Sequence, residues 1–282
     1  MTPYYSHSGK FAPDAPFVAM AVGVPTALVL SWLYAYAILY IPIVGIVTFI
    51  LTGGLGACVG IAVGLVLKQR KVRNKAVAWG VGLFVGLVTL WLSWVSWIVG
   101  LVRRGDEDIS WLGVLFSPAG LWEVVQKVNE VGAWSFKGAT PTGGVLWALW
   151  AAEALIILGV VAWMSALMIG DPYCETCGTW TTGRQGVATS AKGDASSLRE
   201  ALERKDFAGA LAGAGPAVNV VEWLRYDVHE CAQCGETNTL SVIEVKVKDK
   251  GPEDGAPLIQ HLRVTRADVA ALGSAMPAPP AA

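Results

Sequence analysis

Charge is scarce in this chain. Only 15% of its 282 residues are Asp, Glu, Lys or Arg, while 54% are hydrophobic. Soluble domains carry nearer a quarter charged residues, so a wholly soluble globule is excluded. The formal net charge is −1, without the broad basic excess of a nucleic-acid-binding domain. Histidine is almost missing: His7, His229 and His261 are the only three. No His-Glu-x-x-His helix, phosphate-binding loop or Ser/His/Asp set occurs. Those absences remove the common hydrolase and nucleotide chemistries and favour a non-enzymatic role. A cleavable leader is not evident either, because the first apolar run begins only at Phe17 and is too long for a signal core.

What is present divides at Asp171. Residues 1–170 hold ten Lys/Arg and seven Asp/Glu, and residues 171–282 hold the remaining eleven and fifteen. The mean hydropathy of +0.50 therefore averages a membrane part with an acidic, soluble one. No charged residue lies between Phe17 and Leu67. A bilayer core takes about 20 helical residues, so this run is two spans with a break at Tyr40-Ile41-Pro42. The expected spans are about 17–40, 43–67, 76–102 and 145–169, after a flexible tail over 1–16. Trp32, Tyr34, Tyr36 and Tyr40 crowd the end of the first span like an interfacial aromatic belt. Trp91, Trp94 and Trp97 form a drifting stripe on the third.

Ser117-Pro118 reads as a helix start. Leu121, Val124, Val125, Val128 and Val131 behind it share a face, which predicts an amphipathic helix over about 118–131 that lies on the membrane or caps the bundle. Gly56, Gly60 and Gly64 in the second span, and Gly82 and Gly86 in the third, are spaced four apart. Such stripes let helix backbones approach closely, either within the bundle, one stripe against the other, or across a homo-oligomer seam. Lys68, Arg70, Lys71, Arg73 and Lys75 form a basic loop of the kind that stays on the cytoplasmic side. Four spans then place both termini in the cytoplasm of a bacterial inner membrane.

One carboxylate interrupts the apolar pattern. Glu153 lies about a third of the way along the fourth span, where an acidic group costs about 2.5–3.5 kcal/mol, taking Asp as the guide. The other spans offer no Lys or Arg, so it needs a proton, a hydroxyl such as Ser31, Ser93 or Ser96, an oligomer contact or an aqueous cavity. A transport or channel component using Glu153 is the alternative function. Cys58 reads as a small buried packing residue.

The remaining cysteines carry the most specific signal: Cys174-Glu175-Thr176-Cys177-Gly178 and Cys231-Ala232-Gln233-Cys234-Gly235. Two Cys-x-x-Cys-Gly turns aim four thiolates at one ion, and four thiolates close a tetrahedral shell. That predicts a structural Zn²⁺ site, with iron in a rubredoxin-like redox protein as the competing occupant. The 53 residues between the pairs cost about 3.5 kcal/mol to close into a loop. Structural zinc contributes roughly 10–16 kcal/mol, so the insertion is tolerated. Residues 171–272 are expected to form an α+β zinc-ribbon-like domain with a helical insertion capped by Ser196 or Ser197. Strands are expected near 218–228, 240–248 and 258–264, a loop over 249–257, a helix from Thr265 to Leu272, and a disordered tail over 273–282. The fold class is thus a four-span α-helical membrane protein with a C-terminal zinc ribbon. The lipid bilayer and a cytosolic protein of unknown identity are its expected partners, with a homo-oligomer the further option.

Tyr40-Ile41-Pro42, Lys71-Val72-Arg73-Asn74, Leu121-Trp122-Glu123 and the run from Pro172 to Trp180 resemble a family of uncharacterised bacterial membrane proteins with a cytosolic zinc ribbon after the last span. The likeness covers most of residues 26–248, is specific only at the cysteines, and implies no activity.

Overall fold

The computed structural model describes all residues except 1–2, 42–45, 106, 134, 136–139, 215–220, 249–250 and 276–282. Most of the expected C-terminal tail lies outside the described residues. The chain forms two compact units, Gly9–Gly170 and the combination of Met1–Ser8 with Asp171–Ala282.

In the first unit, four helices among the described residues are long and apolar enough to cross a membrane. They are α1 (Ala15–Tyr40), α2 (Ile46–Gln69), α3 (Lys75–Arg103) and, after two shorter helices, α6 (Gly143–Leu167). Pro sits at the start of α1, and Pro25 lies inside it. The Asn74 side chain caps α3 by accepting from the Val77 N–H at 3.1 Å. Lys68 at the end of α2 and Arg103 at the end of α3 place cations where the helix dipole favours them. Trp32, Tyr36 and Tyr40 stack at centroid distances of 5.9 and 4.4 Å along the exposed end of α1.

The glycine stripes of α2 and α3 pack within the bundle, as expected, but both meet α6 rather than each other. A Cβ on Gly60 would lie 2.7 Å from Met164 Cβ and from the Val161 carbonyl, and one on Gly82 would lie 2.7 Å from Ala162 Cα. Gly56 and Gly64 likewise face Val160 and Met168, and Gly86 faces Leu158 at 3.4 Å. The missing side chains let three backbones draw together, which substitutes van der Waals packing for the hydrophobic drive that lipid cannot supply. Ser165 adds a hydrogen bond from its Oγ to the Gly60 carbonyl, 3.3 Å. Cys58 faces outward and is exposed, not buried as expected, because the inner face of α2 belongs to the glycines.

The short α4 (Trp111–Leu115), which no sequence pattern announced, and α5 (Pro118–Val131) pack under the ends of α3 and α6. Leu121, Val125, Val128 and Asn129 are buried, so α5 caps the bundle with its apolar face inward. Val131 departs from the expected stripe and is exposed. Asn129 Nδ2 donates to the Gly143 carbonyl at 3.0 Å, tying α5 to the start of α6.

The second unit holds a two-stranded hairpin, β1 (Tyr173–Cys174) with β2 (Thr179–Trp180), and a four-stranded antiparallel sheet. The sheet runs in order through β3 (Thr182–Ala191), β4 (Glu222–Glu230), β5 (Asn238–Lys248) and β6 (Gly251–Val264). Helices α7 (Ala195–Glu203), α8 (Phe207–Ala214) and α9 (Arg266–Ala275) cover one face, around Leu202, Leu211, Tyr226, Leu240, Leu262 and Leu272. Asp194, not a serine, caps α7, accepting from the Ser197 N–H at 2.8 Å. Thr265 and Asp268 bond each other's backbone N–H groups and start α9 as a capping box.

Two further expectations fail in this unit. Residues 251–257 are strand rather than loop: β6 is an edge, where Pro252 and Pro257 cost no ladder bond to a further strand. The N-terminal segment is also not free. Tyr5 N–H donates to the His261 carbonyl at 2.8 Å, and Arg263 N–H donates to the Pro3 carbonyl at 2.9 Å. Residues 3–5 thus pair with the outer side of β6, giving its backbone groups partners that would otherwise be water or another chain.

Candidate metal centre

The four cysteines converge. Cys174, Cys177, Cys231 and Cys234 place their sulfurs all within 4.8 Å of one another. Each pair sits in its own hairpin turn. In the first, β1 pairs with β2 (Cys174↔Thr179), and Gly178 N–H closes the turn on the Cys174 carbonyl at 2.9 Å. In the second, between β4 and β5, Gly235 N–H closes on the Cys231 carbonyl at 3.0 Å. Gly178 and Gly235 have φ of 66° and 65°, the left-handed conformation glycine adopts without strain. At Gly235 a Cβ would also meet the Arg266 guanidinium, 2.8 Å from its Nε. The insertion of α7 and α8 lies between β3 and β4, so β3 and β4 pair from Thr182↔Glu230 onward and hold the second turn beside the first.

The donor set fits a soft or borderline divalent cation. Four tetrahedral thiolates at zinc–sulfur distances sit ~3.8 Å apart. Cys174 Sγ and Cys234 Sγ are 3.5 Å apart here. Glu236 N–H points at Cys234 Sγ, 3.4 Å away, as an amide does toward a thiolate. Without a cation the sulfurs compete for charge: the Cys234 sulfur, followed by desolvation, pushes the Cys177 thiol up, while the Cys234 backbone N–H draws Cys231 down. A bound cation lets all four ionise together. Cys174 and Cys231 are buried and the other two half-buried, and four sulfurs would complete a tetrahedral shell around a bound ion.

Neighbouring groups brace the centre. Thr181 donates to the Pro172 carbonyl through both N–H, 3.0 Å, and Oγ1, 2.8 Å, closing the base of the first hairpin. Tyr5 Oη accepts from Tyr173 N–H at 2.9 Å and donates to the Tyr173 carbonyl at 3.2 Å. Ser8 Oγ donates to Glu175 Oε1 at 2.6 Å, and Thr176 Oγ1 to Glu236 Oε2 at 3.0 Å. His7 lies edge-on to Trp180, ring centroids 6.2 Å apart. His229 is not drawn into the cluster; its ring lies edge-on to His261 at 5.6 Å. Sequence reasoning missed the bracing by Tyr5 and the place of Arg266. Two adjacent tyrosines, with strand propensity, were the available signal.

Glu153 occupies a separate place, a cavity of about 330 Å³ between α1, α2, α3 and α6. Tyr34, Thr48, Ser93, Trp94, Trp97, Arg104 and Trp150 also line it. None of the expected hydroxyl partners bonds Glu153. Ser31 Oγ donates to the Thr89 carbonyl, Ser93 Oγ donates to the Leu90 carbonyl, and Ser96 Oγ accepts from Trp111 Nε1. The basic residues Lys68, Arg70, Lys71, Arg73 and Lys75 cluster at the turn between α2 and α3. There Arg70 pairs with Asp14, and Arg73 exchanges backbone bonds with residues 9 and 10.

Comparison with protein-family models, with curated proteins and with solved structures found no match for this chain.

Proposed function

We propose that this is a non-enzymatic, multi-pass protein of a bacterial inner membrane. Its cysteines hold a structural zinc ion, and its sheet domain serves as a docking or assembly platform in the cytoplasm. The observation that carries this reading is the closed set of four sulfurs within 4.8 Å. A site whose ligands are all protein thiolates has no open position for substrate or water, so the ion stabilises a fold rather than performing a reaction. The layout also agrees with the family resemblance read from the sequence.

The sidedness follows from charge. The basic turn at residues 68–75 belongs in the cytoplasm by the positive-inside rule. Four spans return the chain to that side, and the pairing of residues 3–5 with β6 supports an even count. Reduced cysteines are stable there. For the platform, Val221 and Val247 are exposed next to each other, joined by a Val247 N–H to Val221 carbonyl bond of 2.8 Å.

The test has two parts. The purified full chain should contain one zinc per molecule and no visible iron–thiolate absorbance. A photo-crosslinking residue at Val247 should yield one adduct of defined mass in cells, also seen from Val221. A colourless protein without metal would overturn the first part, and no adduct from either position would overturn the second.

A second reading, an ion or proton pathway through the membrane unit, is favoured by the cavity around Glu153. Flux in proteoliposomes that is lost in Glu153→Gln and kept in Cys174→Ser would support it.

A further inference from the structure

We propose that the Glu153 cavity binds a monovalent organic cation: an ammonium group on a compact apolar body. This rests on the reading that the cavity is a functional site and names its ligand class. Glu153 stands ten residues after Gly143, about 15 Å along α6 from its start. Among the described residues it makes no hydrogen bond or ion pair. The polar groups around it are committed elsewhere. Tyr34 Oη bonds Thr52 Oγ1 at 3.0 Å, Ser93 Oγ bonds the Leu90 carbonyl at 2.8 Å, and the Arg104 guanidinium donates to the Leu39 carbonyl and lies 5.2 Å from the Tyr40 ring centroid. Glu153 is half-buried in the cavity wall, and a carboxylate there without a partner is costly, so a cation that enters the cavity would supply the partner the bundle does not.

The walls select the kind of cation. Trp94 packs edge-on against both Trp97 and Trp150, at 5.6 and 5.1 Å between centroids, and all three line the cavity. Indole faces attract ammonium groups, and the effect grows when the pair is desolvated. A bare metal ion, by contrast, wants a shell of oxygen ligands, which one carboxylate among committed hydroxyls does not supply. Leu90, Leu101 and Ile157 add an aliphatic part to the wall. A space of about 330 Å³ would hold roughly ten waters. It suits a cation with a hydrocarbon body better than a proton alone.

The experiment uses the full chain in lipid nanodiscs and two probes of one shape, benzyltrimethylammonium and its uncharged carbon isostere neopentylbenzene. Calorimetric titration, corrected with empty nanodiscs, should show saturable binding of the cation and none of the isostere. Glu153→Gln removes the charge that attracts a quaternary ammonium, which has no N–H to donate, and should weaken the cation about 10- to 100-fold. Trp94→Leu should weaken it about 2- to 30-fold. Both variants should keep wild-type metal content and elution. Equal binding of the two probes, or Glu153→Gln binding at wild-type strength, overturns the proposal. Should that variant fail to accumulate, the comparison of probes on the wild-type chain decides alone. Flux measured in parallel separates this idea from the pathway reading. Cation binding without flux keeps the binding site and removes the pathway. Proton flux without cation binding does the reverse.

Discussion

The cysteine centre and the Glu153 cavity are built by opposite routes. Each half of the centre is local: a hairpin turn fixes two sulfurs three residues apart, and a glycine with φ near 65° closes the turn. Only one long-range requirement remains, that the two turns meet, and the β3–β4 pairing from Thr182↔Glu230 meets it. The cavity has no local half. Tyr34, Thr48, Ser93 and Glu153 come one from each of four helices, and what brings them together is how closely those helices pack. A local device can be held by one ion. A packed one depends on every small residue that sets the spacing.

That contrast ranks the experiments. The largest effect should come from the centre itself. Cys231→Ser removes a buried ligand and leaves three thiolates around a cation, and apparent zinc binding of roughly 10–16 kcal/mol exceeds the whole stability of most domains. The variant is expected to lose its metal and the cooperative unfolding of the sheet domain, while the membrane unit keeps its helical signal. Metal analysis and hydrogen exchange would check both halves. If the sheet stays protected without metal, the centre is an accessory and not the foundation of the domain.

Removal of residues 1–8 should rank second. It deletes the Tyr5 and Pro3 backbone bonds to β6 and the two Tyr5 Oη bonds to Tyr173, each worth about 0.5–1.5 kcal/mol. The expected loss is about 2–6 kcal/mol, read as a fall in the thermal midpoint of the sheet domain and as faster hydrogen exchange along β6. A separate 171–275 fragment should show the same deficit and regain stability when residues 3–8 are added as a peptide. A fragment as stable as the full chain would mean the centre needs no help from the N-terminus.

How much was readable beforehand follows the same division. The spans were visible because lipid demands about 20 apolar residues in a row, a signal each segment carries alone. The ligands were visible because both turns need cysteine three apart and then glycine. Three kinds of feature were hidden. Residues 3–5 join β6 through backbone bonds, which any sequence can make, so only the strand propensity of two adjacent tyrosines set them apart from a free tail. β6 was masked by Pro252, Gly255 and Pro257, which read as a loop until its edge position is known. The walls around Glu153 were invisible because they depend on packing. The glycine stripes announced close helix contact but not that α6 would be the common partner.

The spacing argument can be sharpened on α2 itself. Gly60→Leu drives a side chain into Met164 and the Val161 carbonyl, while Gly54→Ala meets nothing within 4 Å. The first should cost about 1–3 kcal/mol by overpacking and enlarge or collapse the Glu153 cavity. The second should be neutral or stabilise by up to about 1 kcal/mol. Thermal stability in detergent compares them directly. Equal behaviour would show that the stripe does not set the helix spacing.

The smallest effect belongs to the sheet's surface charges, where local and packed features combine. Lys192 and Lys246 reach Glu222 at 2.9 Å each, and Lys192 also pairs with Glu244. Lys192 first, then Lys246, holds the Glu222 carboxyl at about 2, below the ordinary carboxylate value of 4.5. A depressed folded-state value means the carboxylate stabilises the fold above pH 4.5 and loses that contribution as pH falls toward 2. Glu222→Gln should therefore be slightly less stable than wild type at neutral pH, and the gap should close across that acid window. Exposed pairs are weak and screened, so 1 M salt should shrink the gap as well. Both proteins carry the same four cysteines, so acid release of the metal affects both and cancels in the difference. A gap that persists below pH 2 would assign the effect to Glu222 packing rather than to its charge.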